Sequence, residues 1–153
     1  MTKEILIQTA TDIFKYSENA VKEYESKQEL LIIKINEALL NRPDIKELVG
    51  VNNLEMMKDN HANHVRFMLS LLKKYNAEVL VETVLWVFRS YQSHGFNSQY
   101  WSAQLNNWIQ ILKTELSEDS YQCIIPIYNW MQINIPVFTK LSQEDIGKFD
   151  LRH

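Results

Sequence analysis

His61 and His64 are the residues whose type and spacing first suggest chemistry. They stand at i and i+3 in Asn60-His61-Ala62-Asn63-His64, so on a helix both imidazoles lie near one face. Such a pair can be polar surface, can contact a ligand in a groove, or can begin a metal site. A metal needs at least one further ligand from another helix. A bundle di-metal site is built on Glu-x-x-His pairs, and the chain has none. No metal is expected. His94 lies in Tyr91-Gln92-Ser93-His94-Gly95-Phe96, just before a helix-stopping glycine. A histidine there can complement the negative end of the helix. It can also ligate haem, which needs an unprotonated imidazole aimed into an apolar slot.

The aromatic residues are unevenly placed. Trp86, Phe88, Tyr91, Phe96, Tyr100, Trp101, Trp108, Tyr121, Tyr128, Trp130 and Phe138 all fall in the second half. Aromatic rings supply large buried area and flat walls. The plain reading is core packing. The functional one is a slot for a flat, conjugated ligand, with Trp86, Tyr91 and Trp108 among its walls.

Catalysis has thin support. The chain lacks a Gly-x-Ser-x-Gly elbow, a phosphate-cradling glycine loop and a dinucleotide fingerprint. The acidic pair Glu118-Asp119 reads as a helix start, where carboxylates offset the dipole. Cys123 is a lone thiol and reads as a small buried hydrophobe. One thiol excludes an internal disulfide and a Cys-x-x-Cys site. A binding protein, not an enzyme, is the expectation.

Helices must position these groups. With three glycines and three prolines in 153 residues, the composition disfavours a turn-rich β protein. The apolar periodicity predicts a helix over 3–25, with Ile5, Ile13, Phe14, Val21 and Tyr24 roughly on one face. A second covers 28–41 and stops at Asn41-Arg42-Pro43-Asp44. A short helix over 44–49 is closed by Gly50. Asn52 or Asn53 caps the next, which runs to about Tyr75 with Met57, His61, His64 or Val65, Met68 and Leu72 near one face. Further helices follow over 77–93, ended by Gly95, and over 98–116. The last long helix, 118–141, is interrupted by Pro126 and Pro136, and Ser142 with Asp145 caps a short terminal turn. The expectation is a single all-α domain over 1–153.

The net charge of −3 and the isolated Lys73-Lys74 pair leave no basic stripe for nucleic acid. Met1 precedes an amphipathic pattern, so neither a signal peptide nor a membrane span is read, and the cytoplasm is the default compartment.

The stretch from Arg66 to Phe96 resembles phycobiliprotein subunits, the bilin-carrying relatives of globins. Arg66-Phe67 looks like their Arg-Tyr on the chromophore-bearing helix, and Tyr75-Asn76-Ala77-Glu78-Val79-Leu80 is similar to their Gly-Asp-Ala-Ser-Val-Leu junction. Phe88-Arg89-Ser90-Tyr91 through Gly95-Phe96 looks like their Leu-Arg-Glu-Thr-Tyr run ending in Gly-Val, one residue shorter here. The specific match covers about a fifth of the chain, and the helix order extends it over most of the rest. The resemblance implies an all-α, globin-like fold: an N-terminal helix pair over 1–41, used for dimer assembly, ahead of a core over 44–153. By this register Met57 replaces the bilin-attaching Cys, and Asp59-Asn60 replace the Arg-Asp that follows it. A thioether link is therefore impossible at that point.

What remains is similar to the bilin biosynthesis-associated globins, which are linked to haem oxygenase. That resemblance implies a bilin such as biliverdin, held non-covalently, or assistance to the enzyme that makes it. Asp59 would meet pyrrole N–H groups, Arg66 a propionate, and His61 or His64 either one. A second alternative is a regulatory interaction domain like the non-haem globin sensors of bacteria, since Tyr91 stands where such proteins place the histidine of His-x-x-x-Gly. A third is a haem globin using His94 or His64, whose separation is about that of distal and proximal histidines. A homodimer is expected, because an isolated amphipathic pair must bury its stripe somewhere. The deciding feature is a crevice between the helices bearing His64 and Tyr91.

Overall fold

The computed structural model describes residues 1–151, and the side chains of residues 1–144. Among the described residues nine helices follow one another and no strand occurs. They are α1 (Lys3–Ala10), α2 (Glu18–Ser26), α3 (Gln28–Leu40), α4 (Ile45–Val49), α5 (Leu54–Lys73), α6 (Ala77–Ser93), α7 (Gln99–Glu115), α8 (Glu118–Ile133) and α9 (Ile135–Leu151).

The segment expected as one helix over 3–25 is two. Thr9 and Thr11 turn their hydroxyls back onto the carbonyls of Leu6 and Ile7. Ser17 then caps α2 by accepting from the Ala20 N–H at 3.2 Å. Each short hydroxyl offers the backbone an alternative to continuing the helix. The intervening loop is pinned from outside, by Phe14 against Tyr75 and by Cys123 Sγ donating to the Lys15 carbonyl.

The last long helix also divides, but at one proline and not at both. Pro126 sits inside α8 without ending it. The break falls at Asn134, whose side chain donates to the Trp130 carbonyl at 2.8 Å, and Pro136 lies in the first turn of α9. Proline is tolerated in a first turn because that N–H has no helical acceptor anyway. Ser142 is inside α9 and bonds the Thr139 carbonyl, so it does not cap a separate turn. The side chain of Asp145 lies outside the described residues.

Residues 1–41 therefore hold three helices, and all three contribute buried residues to the core. α3 packs on both α5 and α7, and α2 packs on α5 and α8. Tyr24, Leu31, Ile35 and Leu39 are fully buried there. Much of the stripe expected to seek a second copy is buried within the chain, while Ile5 is exposed and Ile13, Phe14, Ile32 and Ala38 are half-buried. α7 lies on α8, α6 lies on α9, and α1 also packs on α6. No described helix is long and apolar enough to cross a membrane.

One corner fixes the spacing of α5 and α6. Gly50 and Gly95 both take positive φ, 98° and 95°, and close α4 and α6 as expected. Asn53 does not cap α5 through its side chain. Its amide donates instead to the carbonyls of Val49 at 2.7 Å and His94 at 2.8 Å, tying the two glycine turns together. A Cβ at Gly95 meets no atom within 4 Å. Gly95→Ala is thus expected to cost only backbone strain, about 1–2 kcal/mol. At Gly50 an added Cβ comes within 3.0 Å of the Asn53 amide and disturbs the tie as well. Urea denaturation should show Gly50→Ala as the more destabilising of the two.

Candidate functional site: a crevice between two consecutive helices

Although joined by a short turn, α5 and α6 do not pack closely against each other. The gap between them is a crevice of about 200 Å³. Asn60, Asn63, His64 and Phe67 of α5 form one side. Thr83, Val84, Trp86, Val87, Phe88 and Tyr91 of α6 form the other. Trp101, Gln104 and Leu105 of α7 close the floor with Met131 of α8. Phe88 and Trp101 stack nearly parallel, centroids 4.3 Å apart, as a flat wall. Trp86 stands at the rim, 56% exposed. Among the described residues no Asp, Glu, Lys or Arg lines the space. A cavity of about 150 Å³ admits a benzene, so this one accepts one or two fused rings in its present shape.

Two buried polar chains stand behind the crevice. In the first, His64 Nε2 lies 2.8 Å from the Tyr128 hydroxyl, which lies 3.0 Å from the Tyr24 hydroxyl. The His64 ring stacks on Trp108, centroids 4.9 Å apart. Burial pulls the His64 pKa down to about 3. In the second chain, His61 Nδ1–H donates to Asn36 Oδ1 at 2.7 Å. That leaves its Nε2 as an acceptor 3.1 Å from the Tyr100 hydroxyl. The one Tyr100 hydrogen is shared between that nitrogen and the closer Asn60 Oδ1 at 2.8 Å, and Gln104 Nε2 donates to the same asparagine oxygen at 2.6 Å. Burial, and then the nearby His64, hold the His61 pKa at about 3. This second chain joins α3, α5 and α7 and closes on itself.

The eight residues singled out from the sequence are therefore divided. His64, Trp86 and Tyr91 line the crevice together. His61 shares a face with His64 in spacing but is wholly buried in the joint with Asn36 and Tyr100. Trp108 is wholly buried behind His64. Asp59 is exposed and outside the lining. Arg66 is exposed too, but its Nη2 donates to Asn63 Oδ1, which holds it at the rim. His94 is exposed beyond the end of α6, its Nδ1 on the Ser90 carbonyl at 2.8 Å. Sequence reasoning missed Asn60, Asn63 and Gln104. The available signal was their polarity on faces otherwise carrying Met57, His61, Trp101 and Leu105. The indole N–H groups of Trp101 and Trp108 are buried without a protein acceptor, a cost of about 1–3 kcal/mol each. These rings serve as wall and core, not as polar contacts.

As placed, His94 does not reach the crevice, and His64 commits its Nε2 to Tyr128. Among the described residues no group of three or more His, Cys, Asp or Glu is gathered to hold a metal. Comparisons with family models, curated proteins and solved structures found no match for this chain.

Proposed function

We propose that this chain is a non-catalytic, globin-like binding protein that holds one end of a linear tetrapyrrole, a bilin such as biliverdin, without a covalent bond. The observation that carries this reading is the position of the crevice. It opens between α5 and α6, the helices bearing His64 and Tyr91, and it is walled by flat aromatic rings. The phycobiliprotein resemblance calls for a ligand at that place. Met57, which stands where those proteins attach bilin, is fully buried, so nothing anchors the ligand covalently there.

The volume indicates how the ligand sits. Sites for whole drug-sized ligands span about 300–1,000 Å³. A crevice of about 200 Å³ takes one or two pyrrole rings, with the remaining rings leaning out over Trp86. The carboxylates then stay in water, where desolvation costs them nothing. Arg66, held at the rim by Asn63, is placed to pair with one of them. A haem oxygenase as the source of the bilin belongs to the same reading. Haem is the weaker alternative, because His94 lies outside the crevice and His64 is engaged by Tyr128.

Titration with biliverdin tests the proposal. One equivalent should shift and sharpen the long-wavelength band of the bilin and quench tryptophan fluorescence. Trp86→Ala should weaken binding several-fold, since a stacked ring on an aromatic wall contributes about 0.5–1.5 kcal/mol. An unchanged spectrum at a large excess of protein would remove the tetrapyrrole from the crevice.

A further inference from the structure

The direction of one buried hydrogen-bond chain decides what the crevice offers a ligand. The chain runs from Tyr24 through Tyr128 to His64, and each tyrosine hydroxyl carries one hydrogen. Tyr24 is fully buried, and among the described residues its hydroxyl has one partner, the Tyr128 hydroxyl at 3.0 Å. Its hydrogen therefore goes to the Tyr128 oxygen. The reverse direction would bury that hydrogen with no acceptor, which is costly. The Tyr128 hydrogen is then left for His64 Nε2, 2.8 Å away. A neutral imidazole that accepts at Nε2 carries its proton at Nδ1. The ring is held in this pose on its face as well, stacked on Trp108. His64 bonds the protein through Nε2. Among the described residues, the buried side-chain polar atoms left without a partner are the indole nitrogens of Trp101 and Trp108. His64 Nδ1 is thus neither bonded nor sealed in. It borders open space, and the open space that His64 lines is the crevice. Among the described residues no charged side chain lines that space, so an ionised ligand group would enter it unpaired, at high cost.

We propose that His64 Nδ1–H is a fixed hydrogen-bond donor of the crevice, and that it receives a neutral ring carbonyl, of lactone or lactam type, on the flat end of the ligand that enters. Tyr24 and Tyr128 are positioning residues. Neither lines the crevice; they decide which imidazole nitrogen holds the proton. With a proton on Nδ1 and a hydrogen bond at Nε2, the imidazole has no free lone pair. The arrangement that grips a carbonyl therefore turns away haem iron, which needs an unprotonated nitrogen. This rests on reading the crevice as the ligand site. It does not require that the ligand be a tetrapyrrole.

Long-range proton–nitrogen spectra of the histidine side chains at pH 7.5 read the tautomer directly. His64 of the wild type should show a protonated Nδ1 and a bare, accepting Nε2. A protonated Nε2 overturns the proposal. In Tyr128→Phe the single tautomer should give way to exchange between the two, a change that lost packing alone does not produce. A single tautomer retained there overturns the positioning role. Two small probes of equal size then separate the hydrogen bond from simple ring burial. Coumarin is a two-ring lactone, and naphthalene has the same outline with no carbonyl. In wild type, coumarin should move the His64 Nδ1–H proton downfield, and naphthalene should not. His64→Leu should leave naphthalene affinity unchanged, which also shows that the crevice has survived. Coumarin affinity should fall about tenfold, the upper range for one neutral hydrogen bond. If that variant fails to fold, the wild-type shifts decide alone. Equal responses to the two probes, or binding of neither probe to wild type, overturn the proposal. Biliverdin in parallel keeps the two readings apart. If coumarin behaves as stated and biliverdin does not bind, the tetrapyrrole falls and the donor site stands. If biliverdin binds wild type and His64→Leu alike, the donor site falls and the tetrapyrrole stands.

Discussion

Lowering the pH from 7 to about 4 is expected to unfold this domain cooperatively, and two histidines, the buried His61 and the half-buried His64, are the main cause. His61 and His64 are neutral in the folded state, each with its pKa drawn to about 3. Burial is the first cause for both, and for His61 the neighbouring His64 adds to it. No carboxylate faces either imidazole: His61 meets Asn36 and Tyr100, and His64 meets Tyr128 and Trp108. In the unfolded chain both titrate near the ordinary histidine value of about 6.5. Between pH 6.5 and 3 the unfolded state therefore binds more protons than the folded one, and stability rises with pH. Above about 6.5 the histidine contribution is flat and complete. Below it, each histidine removes about 1.4 kcal/mol per pH unit. Two together remove about 5 kcal/mol by pH 4.5, comparable to the whole stability of many domains, about 5–15 kcal/mol.

Glu23 adds to the fall at the acid end. Burial pushes its carboxyl up, but bonds from Lys27, Ser120 and Ser117 outweigh this and draw the pKa to about 2. Its share of stability is present above about 4.5 and is lost as the pH drops toward 2. Urea midpoints at pH 7.5, 5.5 and 4.5 measure the slope. His64→Gln keeps a polar side chain at the same place and should halve the dependence between pH 6.5 and 4.5. A variant slope equal to wild type would show that His64 does not carry it.

Most of the architecture was legible because helical periodicity is a local signal. Of the stripe that periodicity gives 28–41, Leu31, Ile35 and Leu39 are buried while Ile32 and Ala38 are half-buried, and Trp101, Leu105, Trp108 and Leu112 of 98–116 are all buried. Both positive-φ glycines closed the helices assigned to them. The break at 11–17 was missed for a different reason, whereas the one at Asn134 falls beside Pro136, where an interruption was expected. Threonine and serine hydroxyls continue a pattern of polar positions until one of them turns back on the backbone. Ile5, read as inward, is exposed, while its neighbour Leu6 is wholly buried. The separate, short α1 sets its own face toward α6.

The site was legible only as a pair of helices. Spacing places His61 and His64 on one side of α5, but it does not say that this side meets two neighbours. His61 turns toward α3 and α7, while His64 turns toward α8 and the crevice. Which of two residues a turn apart borders empty space is a property of the facing helices. The same holds for Trp108, one of the rings expected to wall a slot, which is buried behind the imidazole it supports. A search for charge, such as Asp59 and Arg66, led to the rim and the outer surface. The lining uses amides and hydroxyls, which carry weaker sequence signals than ionised groups do.

The chain Tyr24–Tyr128–His64 should respond to mutation in an order that simple contact loss does not give. Tyr128 is the middle member, wholly buried, with a partner on either side. Tyr128→Phe removes one hydroxyl but strands two groups, the Tyr24 hydroxyl and His64 Nε2. Each stranded buried group costs about 1–3 kcal/mol, so the loss is expected at about 2–6 kcal/mol. Tyr24→Phe removes an end member and leaves Tyr128 paired with His64, at about 1 kcal/mol. In the double variant no Tyr24 hydroxyl remains to be stranded, and His64 alone lacks its partner. The double variant should therefore be no less stable than Tyr128→Phe and should fall clearly short of the sum of the two single losses. Such a coupling energy belongs to neighbours in one network. Additive losses would mean that the two hydroxyls act independently, each satisfied from elsewhere. The two results differ in their consequence for the crevice. A coupled chain fixes His64 from behind, through groups that never touch a ligand, so Tyr24→Phe should leave probe affinity in the crevice unchanged while Tyr128→Phe frees the imidazole to turn into it.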